Sequence, residues 1–346
     1  DLRAGTTTRR RLPSRARNRR RRPMLKPCPL TRTTAAERIL AVLDIGTSKV
    51  CCMIFAVDTQ AARRRGRGEA APVRMLGLGL HRSRGMKAGV VIDLAEAEQS
   101  IRRAVGRAEE QAGATIDEVV LSAACGRLKS QAFAASAKVE RALVAEADVA
   151  RALKAGRAFA ERDGRVLLHL HRTGYRLDGE SGIRNPRGMA GAKLSVELKA
   201  VTADEPPLRN LRLLIERCFL SVGAIVAAPY ASALAAATPE EMQLGVTVID
   251  MGAGTTTFAV FSEGHFQQAG AIAVGGGQLS LDIARSLSTP LYEAERIKTL
   301  YGNLAGAASD EQEIISYPLA GERPGELAQT TTGRLRRTIR PRIEET

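Results

Sequence analysis

A chain of 346 residues, 44% apolar, has material for two or more domains; with 3% aromatics and no Trp, its core must be built mostly from Ala, Leu, Val and Ile. The net charge of +15 looks like a nucleic-acid signal until it is located: residues 1–36 hold twelve Arg or Lys against one acid, and the other 310 residues carry only +4. Nucleic acid is therefore not an expected partner of the fold, and five Cys without CxxC spacing argue against a disulfide framework or a zinc site.

Residues 1–36 combine Arg and Pro with no apolar periodicity and are expected to be a disordered basic tail. Such a tail offers at best a weak contact for nucleic acid or anionic lipid, and a solvated, even non-native, leader is the plainer expectation. No apolar stretch with a small-residue cleavage site follows the basic run directly, as a signal peptide would require. Residues 39–57, "ILAVLDIGTSKVCCMIFAV", have about the length needed to cross a bilayer. Asp44 and Lys49 near its centre would each cost roughly 2.5–3.5 kcal/mol there. "DIGTSK" has a turn's composition and its flanks are short β-rich runs, so the segment is expected to be a hairpin.

Next come a basic loop, "QAARRRGRGEAAP", a strand around residues 75–80 and the loop "HRSRGMKAGVV". Asp93, with Glu96 three residues on, caps a predicted helix whose apolar positions run from Leu94 to Ala108. Strands "DEVVLSA" and residues 132–139, a helix over 146–161 and a strand "GRVLLHLHR" follow, so residues 89–167 read as an inserted α/β subdomain. His169 and His171 share one face of the last strand without a third metal ligand nearby. "KLSVELKAVTAD" is a strand, residues 208–220 a helix, and "AIVAAPYASALAAA" a strand running into a small-residue helix.

The opening pattern then returns in "GVTVIDMGAGTTTFAVFSEG", with Asp44-Ile45-Gly46-Thr47-Ser48-Lys49 matched by Asp250-Met251-Gly252-Ala253-Gly254-Thr255, 206 residues later. Turns of Gly and small hydroxyl residues expose several N–H groups at once and make a concave anion site. Two such turns across a cleft can hold a polyphosphate from both sides. A carboxylate beside each would repel phosphate directly, so Asp44 and Asp250 are expected to hold hydrated Mg²⁺ through water. "VGGGQLSLDIARSL" places Gly275, Gly276 and Gly277 before a helix, whose free amides can face a nucleotide. Thr289, with Pro290 at its first position, starts the next helix, which stops at Gly302 and carries Glu295 and Lys298 on one face.

In "LDIGTSKV", "SRGMKAGVVIDL", "GIRNPRGMAGAKL", "VIDMGAGTTTFAVF" and "YEAERIKTLYG" the chain resembles the FtsA family of bacterial cell-division proteins, within the actin-like ATPase superfamily. The resemblance runs from about Ile39 to the last residue. It implies an α/β, actin-like (ribonuclease H-like) two-domain fold with an inserted α/β subdomain. The expected divisions are subdomain 1A over 37–88 and 168–238, 1C over 89–167, 2A over 239–284 and an incomplete 2B over 285–346. It implies ATP and Mg²⁺ as cofactors, with phosphate contacts at Gly46, Thr47, Ser48 and Lys49 and at Gly252, Ala253, Gly254, Thr255 and Thr256. Glu295 and Lys298, otherwise a solvated ion pair, would reach the adenosine.

The implied role is assembly at the division septum: a peripheral protein of the inner membrane face that self-associates into filaments and links FtsZ to the membrane, with later division proteins as further partners. FtsZ is expected to bind near residues 333–342. The third, Gly-rich adenosine loop and the membrane-binding amphipathic helix of such proteins are not in these 346 residues, so a C-terminally truncated chain with weak ATP binding is expected. Turnover is expected to be slow or absent, since "PYASALAAA" offers no Gln or Glu to position water and nothing fixes Glu240 or Glu241. The alternatives are a small-molecule kinase of the same superfamily and a pilus-assembly actin-like protein.

Overall fold

A computed structural model describes residues 37–59, 73–125, 127–305, 311–321 and 327–346. The basic tail over 1–36 and the basic loop "QAARRRGRGEAAP" lie outside them. Strands β1 (Glu37–Ile45) and β2 (Lys49–Asp58) form the expected hairpin, with Ile45 opposite Val50. Strand β3 (Val73–Arg82) extends it, and two short strands, β4 (Met86–Lys87) and β5 (Val90–Val91), lead to helix α1 (Leu94–Ala112). Asp93 caps that helix by accepting from the Ala95 and Glu96 N–H groups, and Gly113 ends it in the left-handed conformation. Ala97, Ile101, Ala104, Val105 and Ala108 are buried along its inner face. Strand β6 (Glu118–Ala123) follows.

Strand β7 (Lys129–Lys138), helix α2 (Glu146–Ala160) and strands β8 (Arg165–Leu177), β9 (Glu180–Ile183) and β10 (Lys193–Asp204) form a separate four-stranded sheet, in the order β7-β10-β8-β9, with its own core. Helix α3 (Glu205–Arg217) and strand β11 (Ser221–Ala227) return to the first sheet, whose order is β11-β6-β1-β2-β3.

This corrects the expected insertion over 89–167. Helix α1 packs on β2 and β3, and β6 lies parallel to β1 with Val42 opposite Val120, so both belong to the first sheet. The inserted sheet runs instead from Lys129 to Asp204, and a boundary at 167 would cut β8. Strand and helix alternate on both sides of the true boundary, so periodicity alone does not reveal it. Long-range pairing does.

Helices α4 (Ala228–Ala236) and α5 (Pro239–Leu244) lead to an antiparallel sheet of β12 (Val246–Met251), β13 (Thr256–Ser262) and β14 (His265–Ile272). Helices α6 (Gly276–Leu287) and α7 (Leu291–Tyr301), strands β15 (Ile314–Pro318) and β16 (Leu327–Thr331) and helix α8 (Thr332–Glu345) complete the described chain. Ile283, Leu287, Ala294, Ile297, Ile315, Leu335 and Ile339 form one core, so α6 belongs with this last unit and the expected division at 284 falls inside a helix. Pro290 stands just outside α7 rather than at its first position, and the Thr289 hydroxyl donates instead to the Pro318 carbonyl at 2.7 Å.

Candidate functional site: two matching turns across a cleft

The two hairpins repeat one another at the level of single hydrogen bonds. In the first turn the Gly46 N–H donates to the Lys49 carbonyl at 3.0 Å; in the second, Gly252 N–H donates to Thr255 at 2.9 Å. Asp44 lies opposite Cys51 and Asp250 opposite Thr257, the same offset in each strand pair. The turns also touch. A Cβ built on Gly254 would lie 2.4 Å from Thr47 Oγ1, so only glycine lets them approach this closely.

Each carboxylate has a serine partner from a neighbouring element. Asp44 accepts a hydrogen bond from Ser122 at the end of β6, and Asp250 Oδ2 accepts from Ser232 Oγ on α4 at 2.8 Å. Burial raises the Asp44 carboxyl above its ordinary 3.8; the charge of Asp250 adds to this, while Ser122 and Lys49 oppose it. A cation between the two aspartates would relieve both desolvation and repulsion.

Asp44, Asp250, Lys49 and both turns line a cavity of about 320 Å³. A neighbouring cavity of about 760 Å³ shares Thr47, Ser48 and residues 251–254 and extends to Glu295 and Lys298. Each contains a buried hydroxyl without a partner: Thr257 Oγ1 in the smaller, Ser83 Oγ in the larger. An unpaired buried hydroxyl costs about 1–3 kcal/mol, which an oxygen-rich ligand would recover. N–H-rich turns, paired carboxylates and orphaned donors fit a Mg²⁺-bound polyphosphate.

The family models agree with this architecture. One for "Cell division protein FtsA" matches residues 247–332, and one for "SHS2 domain inserted in FTSA" matches residues 125–202, within which most of the four-stranded insertion falls. A cell division protein FtsA of Rhizobium meliloti is 40% identical over 94% of this chain and 73% of its own length. One of Agrobacterium fabrum is 41% identical over 94% and 72%. The chain belongs to the FtsA family of cell division proteins. The actin-like fold of this FtsA-family chain is shared with a solved PilM-PilN type IV pilus biogenesis complex, at TM-score 0.58 and 18% identity over 88% of this chain and 73% of that one.

The remaining expected residues of this FtsA chain divide in two. Glu295 and Lys298 line the larger cavity and pair at 2.8 Å, and Lys298 Nζ also donates to the Gly276 carbonyl at 3.1 Å. Burial alone would raise the Glu295 carboxyl, but the Lys298 ammonium and Ser280 hydroxyl outweigh it and hold it below its ordinary value. Gly276 and Gly277 also line that cavity, yet their amides are not free. They donate to the Gly252 and Ala253 carbonyls at 2.9 and 2.7 Å, and the Gly275 N–H donates to Gln278 Oε1. The expectation of free helix amides is corrected: Gly276 and Gly277 brace the second turn from behind, and at Gly275 and Gly277 a Cβ would lie 2.4 and 2.7 Å from the Gly252 and Ala253 carbonyl oxygens.

Sequence reading missed Ser83, Ser122, Ser232 and Thr257. Ser232 carried a signal, being with Tyr230 one of two hydroxyl side chains in an otherwise apolar α4. Glu241 is committed to a capping box with Thr238, and among the described residues neither Gln nor Glu lines the smaller cavity. His169 and His171 both make tilted ring contacts with Tyr230, and His171 also with Phe266; no metal-binding cluster of three occurs among the described residues.

Proposed function

We propose that this chain is an ATP-binding assembly protein of the division septum, in which nucleotide acts first as a conformational ligand. The observation that carries the reading is the pair of matching turns, in contact and each preceded by a carboxylate held by a serine. Residues 46–48 and 252–256 would hold the phosphates, Asp44 and Asp250 the hydrated Mg²⁺, and Glu295 and Lys298 the adenosine. When bound, Mg²⁺ neutralises phosphate charge beside the two aspartates. Slow or absent turnover is proposed with it, and the kinase alternative would need a catalytic carboxylate beyond those two aspartates.

FtsZ, further copies of the chain and later division proteins are the proposed partners. On α8, Arg334, Arg337 and Arg340 are exposed while Leu335, Arg336 and Ile339 are buried, so residues 333–342 offer a cationic stripe to an acidic partner. No helix of the described residues is long and apolar enough to cross a membrane. Attachment to the inner membrane face through an amphipathic helix is proposed as well. The test is Mg²⁺-dependent ATP binding by calorimetry, which Asp250→Ala should weaken at least tenfold, with ATP-dependent co-sedimentation with FtsZ. Rapid single-turnover ATP cleavage abolished by Asp250→Ala would overturn the assembly-ligand reading.

A further inference from the structure

Of the segment "SRGMKAGVV", residues 83–91, only Ser83 has entered the site so far, yet the segment is tied to both turns. The Ser83 N–H donates to the Ser48 carbonyl at 2.9 Å, joining it to the first turn. Ala88 sits in the left-handed region at φ 48°, against the second turn: a Cβ on Gly254 would lie 3.0 Å from the Ala88 nitrogen. Behind, the segment is anchored on α1. Arg84 N–H donates to Ser100 Oγ at 3.1 Å, the Gly85 carbonyl accepts from Ile92 and Asp93, and Met86 is buried. A strained residue held at the meeting point of two ligand loops, on a rigid mount, is what a binding wall needs.

That wall carries the charge the site lacks. The smaller cavity holds two carboxylates against one ammonium, Lys49, and in the larger Lys298 is spent on Glu295. Arg82 and Lys87 also line the larger cavity, and neither forms an ion pair among the described residues. Beside them Ser83, 8% exposed, has a buried hydroxyl with no partner. We propose that residues 82–88 form a third wall of the nucleotide site, with Ser83 Oγ donating to the polyphosphate and the Lys87 ammonium neutralising it. The inference rests on the nucleotide reading and extends it to a segment that reading does not use.

The test is displacement of a fluorescent ATP analogue from the 346-residue chain by Mg·ATP and by AMP, for wild type, Ser83→Ala and Lys87→Met. Each variant should lose about tenfold for ATP and stay within about twofold for AMP. Ser83→Ala should melt no lower than wild type, because it removes an unpaired buried hydroxyl, an outcome opposite to that of a structural role. Unchanged ATP affinity in both variants, or equal losses for ATP and AMP, overturns the third wall while leaving the nucleotide reading intact. A wild-type chain from which millimolar Mg·ATP displaces nothing overturns both.

Discussion

Asp44 and Asp250 end equivalent strands, but their surroundings differ. Asp44 is half-buried with its carboxyl raised, whereas Asp250 is exposed and anchored by Ser232. In the ligand-free chain the Asp44 charge is therefore a cost, one that the proposed Mg²⁺ would relieve. Asp44→Asn is expected to stabilise the ligand-free chain by about 1 kcal/mol while weakening Mg²⁺-dependent ATP binding at least tenfold. Melting curves with Mg²⁺ or with chelator, alongside titration calorimetry, read both effects; a fall in stability would contradict the account. The aspartates and turn glycines were legible because strand, carboxylate, glycine and strand recur in one order. Ser122 was not, since seventy-eight residues separate it from Asp44 and only the parallel pairing of β6 with β1 brings them together.

Helix α1 shows how one element is set by its neighbour. Its cap and apolar stripe were readable locally, but its place on β2 and β3 depends on Gly77 and Gly79. A Cβ on Gly79 would lie 1.8 Å from the Ala104 carbonyl oxygen, so Gly79→Ala must lift the helix from the sheet. We expect a loss of about 2–4 kcal/mol by chemical denaturation. Gly106 on the same helix has nothing within 4 Å of a built Cβ, and Gly106→Ala should add about 0.5–1 kcal/mol. Opposite signs for two Gly→Ala changes on facing elements separate close approach from helix propensity.

At the scale of the whole molecule, the insertion, α4 and the second sheet meet in a cluster of His169, His171, Tyr230, Phe261 and Phe266. Nearby, Ser130 Oγ on β7 donates to the Ala269 carbonyl and accepts its N–H on β14, both at 2.7 Å. The Ala227 N–H donates to His169 Nε2 at 3.0 Å, which requires a neutral ring; burial, then the adjacent His171, lower its pKa from 6.5 to about 4. The unfolded chain takes up that proton near pH 6.5 and the folded one does not. Stability is thus fully present above pH 6.5 and is lost as pH falls toward 4. Melting temperature should drop between pH 7 and pH 5, and less so in His169→Gln; identical acid profiles would exclude the cluster as the cause. By itself the sequence determined the first hairpin, the Asp93 cap of α1, the repeated turns and the family, because each is written in short-range order or in a pattern that recurs. Only the tertiary structure decided that α1 packs on the sheet that holds β6, that the two turns touch, that the Gly276 and Gly277 amides brace a turn, and which serines hold the aspartates. Those depend on contacts between residues far apart in the chain, where packing rather than local order chooses the partner.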